Sequence, residues 1–182
     1  MNNVTDLKPK IRPIVQLGNP ILRQQAQPIS DITSNAIQQL VMDLIATAKD
    51  AGGVGIAAPQ IGESLQLFIM ASSPNERYPN APEMEPTAIF NPKIIETDDE
   101  ISKDWEGCLS VPSVRGLVPR PSRIIATFET IDGQKHRKQY DGFLARVFQH
   151  EYDHLIGLTF LDQVTDNKDL FSEHEFYQLT TD

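Results

Sequence analysis

The stretch Gln149-His150-Glu151-Tyr152-Asp153-His154-Leu155-Ile156-Gly157 holds two of the chain's four histidines, four residues apart, with a glutamate directly after the first. On a helix, positions i and i+4 share a face, as do i+1 and i+4, so His150, Glu151 and His154 fall on one arc of about 100°. Two imidazoles so spaced can close on one metal ion. The carboxylate between them lies too far round to be a third ligand, but it can handle a proton on water at that ion. Packed or solvated histidines would give the same short pattern, so the missing ligand has to be sought elsewhere in the chain.

A catalytic metal usually keeps three protein ligands and one open position. One candidate is Glu173 or Glu175, about twenty residues after His154, which would make a His₂Glu site suited to peptide-bond hydrolysis. The other is Cys108, the only cysteine, in Trp105-Glu106-Gly107-Cys108-Leu109-Ser110-Val111-Pro112. A thiolate with two imidazoles suits Fe(II), Zn(II), Ni(II) or Co(II). Gly107 permits close backbone approach, and Glu106 and Arg115 are placed to pair and hold the loop. The Glu173 region is acidic and weakly patterned, a poor setting for a rigid site.

The elements that must carry these residues follow from periodicity. Ile37, Leu40, Val41, Leu44, Ile45 and Ala48 form an apolar stripe, predicting a helix from about Ser34 to Asp50, capped by Thr33 or Ser34 and stopped by Gly52 or Gly53. A bare segment, Gly52 to Gly62, follows, in which Gln60 is the one side chain with an amide able to donate to an oxyanion. Leu65 to Met70 predicts a strand, 71–87 a proline-rich surface loop, and the residues around Asn91-Pro92 another strand. Glu96 to Glu100 reads as a solvated acidic turn. Arg123–Thr130 and Gln134–Tyr140 predict a hairpin on an Asp132-Gly133 type I′ turn. A second helix is expected from Asp141 or Gly142 to Leu155, with Leu144, Val147, Phe148, Glu151, His154 and Leu155 on or near the inward side and Gly157 ending it. Residues 1–29, broken by prolines, and the tail after Thr159 show no strong pattern.

At 182 residues the chain is expected to be a single domain, 1–182, with a full core. The expected class is α+β: small antiparallel or mixed sheets around a central metal-binding helix, with one N-terminal amphipathic helix. A net charge of −9 argues against nucleic-acid binding through bulk electrostatics. No apolar run approaches a membrane span, and the first twenty residues lack the apolar core of a signal peptide. A lone cysteine fits a reducing compartment.

Three segments together resemble the signature motifs of the peptide deformylases, in that family's order: Gly53-Val54-Gly55-Ile56-Ala57-Ala58-Pro59-Gln60, Glu106-Gly107-Cys108-Leu109-Ser110, and Gln149-His150-Glu151-Tyr152-Asp153-His154. The resemblance extends over roughly residues 14 to 162. It implies removal of the formyl group from the N-terminal formylmethionine of new proteins. It also implies one divalent ion, Fe(II) first, held by Cys108, His150 and His154, with Glu151 as proton carrier. Gln60, the Leu109 N–H and Gly55 complete the catalytic set. Val54, Gly107, Phe143 and Arg115 are implied as substrate-binding residues, with the stem of Arg146 at the pocket. The alternative, read from the residues themselves, is a structural ion pair of Arg146 or Arg120 with Asp153, which faces away from the metal side. The expected setting is a cytoplasmic monomer of bacterial type that acts on nascent peptides and touches the ribosome transiently, with no membrane partner.

Overall fold

The computed structural model describes residues 7–74 and 80–180. Its first helix, α1 (Asn35–Asp50), packs Leu40, Val41, Leu44 and Ala48 inward and stops at Gly52, whose φ is +64°. The stripe expected from spacing is therefore the core face. Ser34 occupies the N-cap without a side-chain bond to the helix; its hydroxyl donates to Asp31 O instead. Asp43 and Thr47 are also buried on α1, because they anchor the proline-rich N-terminal segment. The Lys10 N–H donates to Asp43 at 2.9 Å, and the Arg12 N–H donates to Thr47 Oγ1 at 2.9 Å. That segment continues onto the site loops through Val15 N to Gln60 O and Leu17 N to Ser110 O.

Five strands form one antiparallel sheet in the order β1-β2-β3-β6-β7: β1 (Gly55–Ala57), β2 (Leu67–Ser72), β3 (Met84–Thr97), β6 (Arg123–Glu129) and β7 (Lys135–Asp141). A second, three-stranded antiparallel sheet holds β4 (Ile101–Cys108), β5 (Val111–Pro121) and β8 (Leu170–Ser172) in the order β4-β5-β8. Between them lies α2 (Gly142–Leu155), which contacts β1, β2, β5, β6 and β7. The α+β expectation holds, with α2 central. Among the described residues no helix is long and apolar enough to cross a membrane.

Several local expectations need correction. The proline-rich stretch 71–87 is not all loop: β2 runs to Ser72 and β3 starts at Met84, with Pro86 beside a register shift where no ladder N–H is required. Residues 75–79 of that stretch lie outside the described residues, as do 1–6 of the N-terminal segment. Asp132-Gly133 is not a type I′ turn. Gly133 has φ +77° while Asp132 does not have a positive φ, and Gly133 N bonds to Thr130 O, so the loop is a type I turn closed by a left-handed glycine. Leu144 is only half-buried; Val147 and Phe148 face inward as expected, and Ala145 joins them. Ile101–Pro121, not anticipated as strands, form a long hairpin despite Pro112, Pro119 and Pro121. The tail adds α3 (Phe160–Gln163), β8 and α4 (Glu173–Thr180).

Candidate active site

Three elements converge. Strand β4 ends at Cys108, which pairs with Val111 across the two-residue turn Leu109–Ser110. The α2 face presents His150, Glu151 and His154. The glycine-rich segment runs through β1 into a 3₁₀ turn (Ala58–Ile61) that presents Gln60 and closes on Gly62 at φ +87°. One cavity is lined by Val54, Gly55, Gln60, Cys108, His150 and Glu151, among others. Gly107, Leu109, Phe143 and Arg146 also line it, so most of the expected substrate-side residues meet there.

Cys108, His150 and His154 each offer a ligand atom, and these atoms lie within 4.8 Å of one another. Cys108 Sγ is 3.3 Å from His154 Nε2, close to the roughly 3.5 Å edge expected for sulfur and nitrogen bound tetrahedrally to one ion at 2.0–2.3 Å. His150 Nδ1 is engaged by Glu106 at 2.8 Å, which leaves its Nε2 for a ligand role. The donor set therefore fits a divalent ion. Among the described residues this is the one group of three or more His, Cys, Asp or Glu side chains so arranged. Glu173 is not part of it: its carboxylate accepts from Arg115 Nη2 at 2.9 Å. The His₂Glu alternative has no geometric support.

Burial opposes ionisation of Cys108, but the positive charge of His154 and hydrogen bonds from both histidines outweigh it and bring the thiol down to about 5. Burial likewise opposes protonation of His150, yet Cys108 and Glu106 carry it well above the usual imidazole range. In the metal-free protein the site therefore favours a thiolate–imidazolium arrangement, and an entering cation displaces the imidazolium proton. Burial is also the main reason that Glu151 is raised to about 7; Cys108 and Glu106 add to it, while the two histidines oppose it. Glu151 Oε2 is buried without a hydrogen-bond partner. Its carboxylate lies where a Cβ on residue 55 would sit, which gives Gly55 a physical reason to be glycine. Gln60 is oriented at both ends. Its Oε1 accepts from Ala57 N at 2.8 Å, and its Nε2 donates to Ser110 Oγ at 3.2 Å and reaches Cys108 Sγ at 3.5 Å.

The residue that sequence reasoning misplaced is Glu106. It does not serve the expected pair with Arg115. Gly107 faces Arg115 across the β4–β5 ladder, so Glu106, one position earlier, points to the opposite face. There its carboxylate accepts from Arg120 Nε at 2.6 Å, Arg120 Nη2 at 2.9 Å and Arg146 Nη1 at 2.8 Å, besides facing His150. Burial works against its ionisation, but the Arg120 and His150 contacts hold Glu106 well below the usual carboxylate range. Strand alternation was the available signal, since Glu106 lies two residues before Cys108 and shares its face. Asp153 forms the anticipated ion pair, with Arg120 at 2.9 Å. Arg146 spends its guanidinium on Glu106 and on the carbonyls of Val118 and Ser102, leaving its stem at the cavity. Arg115 does not line this cavity; it lines an adjoining one beyond Gly107.

A cysteine and two histidines around one ion position, with a buried carboxylate and an oriented amide beside it, define a mononuclear metallohydrolase site. Residues 11–169 match the family model described as polypeptide deformylase. A peptide deformylase 2 from Nostoc sp. is 51% identical over 96% of this chain and 98% of that relative. A peptide deformylase 2 from Shewanella oneidensis is 46% identical over 83% of each chain. Among solved structures, a Met-Ala-Ser-bound class I type b peptide deformylase from Acinetobacter baumannii superposes with a TM-score of 0.84 at 40% identity, covering 86% of this chain and 100% of that one. The chain belongs to the peptide deformylase family, metal-dependent hydrolases that remove the formyl group from N-terminal formylmethionine.

Proposed function

We propose that Cys108, His150 and His154 hold one Fe(II), replaceable by Zn(II), Ni(II) or Co(II), and that the whole chain works as a single catalytic domain on formylmethionyl ends of nascent peptides. The observation that carries this reading is the approach of Cys108 to the two α2 histidines beside the partnerless carboxylate of Glu151. When bound, the ion supplies Lewis acidity, polarising the formyl carbonyl and acidifying a water. Glu151 takes the proton from the attacking water and delivers it to the leaving amine. The Gln60 amide, held by Ala57 and Ser110, and the Leu109 N–H donate to the charge developing on the formyl oxygen. Backbone groups of Val54 and Gly107 hold the substrate extended. The methionine side chain rests among Val54, Phe143 and the Arg146 stem, and Arg115 contributes beyond Gly107. The thiolate ligand makes the iron form sensitive to oxygen. The protein acts as a cytoplasmic monomer that meets its substrates at the ribosome.

The test is hydrolysis of formyl-Met-Ala-Ser by anaerobically prepared protein, with metal analysis of the same sample. Turnover proportional to one bound ion, abolished in Glu151→Ala with the ion retained, is expected. Undiminished turnover in Glu151→Ala would sink the proton-carrier role. No turnover by the iron- or nickel-loaded protein would favour a binding module.

A further inference from the structure

The two donors proposed for the formyl oxygen sit on separate turns. Gln60 belongs to the 3₁₀ turn Ala58–Ile61, and the Leu109 N–H to the two-residue turn Leu109–Ser110 between β4 and β5. Among the described residues no backbone hydrogen bond joins one turn to the other. Their direct polar link is between side chains: Gln60 Nε2 donates to Ser110 Oγ at 3.2 Å, and Ser110 is fully buried. A third segment touches both. Val15 N donates to Gln60 O at 2.9 Å, and Leu17 N to Ser110 O at 2.8 Å.

These N–H groups belong to positions two apart, which on an extended chain point to one side about 7 Å from each other. Residues 15–17 thus span the two turns as a short strap. The strap is fixed at both ends. Upstream, Lys10 N and Arg12 N are bound by Asp43 and Thr47 of α1, and the Arg12 guanidinium joins Asp43 to Glu63, directly after the Gly62 that closes the 3₁₀ turn. Downstream, Leu22 is buried, and Ala26 N donates at 2.8 Å to Leu155 O at the end of α2.

We infer that residues 15–17 are a positioning strap for the reaction: they fix the separation of Gln60 from Leu109–Ser110, and so the point on which the Gln60 amide and the Leu109 N–H converge. The inference rests on the deformylase reading and on the roles given there to those two donors. Such donors act only when aimed beforehand at the place where charge develops. A turn free to shift still carries its donor but no longer aims it. The fold allows the strap to be cut from the site at one bond. Gln16–Asn19 form a turn closed by Asn19 N to Gln16 O at 3.0 Å, with Gly18 at φ +103° third and Leu17, not at positive φ, second. That is the type II pattern, in which the second position favours proline. Leu17 is 46% exposed, so Leu17→Pro loses little packing and removes the N–H that reaches Ser110.

The experiment measures kcat and KM on formyl-Met-Ala-Ser for the metal-loaded wild type, Leu17→Pro, Gln60→Ala and the double variant, with the metal content of each. Leu17→Pro is expected to lower kcat about tenfold, less than the loss of about 10²–10³ on deleting a donor, with KM within about twofold and one equivalent of metal retained. A bond that served stability alone would leave kcat of the folded protein unchanged, and proline at a compatible turn position does not by itself destabilise. In the Gln60→Ala background the fall is expected to shrink to about threefold or less, because the strap acts through the donor already removed. In the zinc-loaded protein, exchange of the Ala57 N–H, which donates to Gln60 Oε1, is expected to quicken in Leu17→Pro, reporting the position of the amide without turnover. An unchanged kcat or an unchanged Ala57 exchange in Leu17→Pro, a fall of equal size in the Gln60→Ala background, or a fall that tracks loss of metal overturns the inference. Should Leu17→Pro not fold, Thr47→Val removes the acceptor of the Arg12 N–H and frees the strap upstream, and the same outcomes decide. Undiminished kcat in Gln60→Ala would instead overturn the donor role, and absence of turnover by the wild type the deformylase reading.

Discussion

Glu106 Oε2 lies 2.8 Å from His150 Nδ1 while the same carboxylate receives Arg120 and Arg146. One buried acid thus fixes the ring of a metal-site histidine and joins β4, β5 and α2. Glu106→Gln keeps the shape but removes the charge that anchors the imidazole. It is expected to weaken metal retention by about 10–100-fold, measured by competition with a chelator. Glu106→Ala leaves Arg120 and Arg146 buried with fewer partners and is expected to lower stability by about 3 kcal/mol, read by urea unfolding. Equal metal affinity in the wild type and Glu106→Gln would remove the orienting role.

Gly55 and Glu151 give a test of the proton carrier that leaves the ligands untouched. A methyl group at residue 55 would occupy the space of the Glu151 carboxylate. The β1 position carries no positive φ, so alanine is acceptable to the backbone there. Gly55→Ala is expected to retain one equivalent of metal while kcat falls about 100-fold or more, within the range for a displaced general base. Loss of metal in parallel with activity would show that the effect runs through the ligands instead.

Much of this is legible in the sequence. The α1 stripe, the α2 histidines and the bare Gly53–Gln60 loop declare themselves by period and composition, because each depends on local geometry. What was not legible depends on pairing at a distance. Ile101–Pro121 carries three prolines and few apolar residues on β4, so nothing local marks it as a hairpin; its pairing is set by cross-strand register. Glu106 was expected to meet Arg115 because they are near in sequence, whereas alternation sends them to opposite faces. Asp43 and Thr47 lie outside the apolar stripe of α1, and nothing local marks them as the anchors for residues 10–12 that they are.

The choice between a Cys and a Glu as third ligand can be made by stoichiometry. Cys108→Ala is expected to retain less than about a tenth of an equivalent of metal after dialysis, since a two-histidine remnant loses the thiolate charge. Glu173→Gln is expected to keep a full equivalent, because its carboxylate faces Arg115. The reverse pattern, measured by atomic emission on folded protein, would restore the His₂Glu site.

The raised pKa of Glu151 has a consequence for stability that can be read without activity. In the metal-free fold the carboxyl titrates at about 7, mainly because it is buried, against 4.5 as the ordinary value. Between those values the folded chain holds a proton that the unfolded chain has released, so stability falls as pH rises through that window. The full loss, reached above about pH 7, is of the order of 3 kcal/mol. Glu151→Gln keeps the side-chain volume and cannot ionise. Metal-free Glu151→Gln is therefore expected to be more stable than metal-free wild type at pH 8 by up to that amount, with the difference vanishing towards pH 4.5. Urea unfolding of chelator-treated proteins at both pH values measures it. A difference of the same size at both would mean that the substitution acts through packing and not through the buried charge.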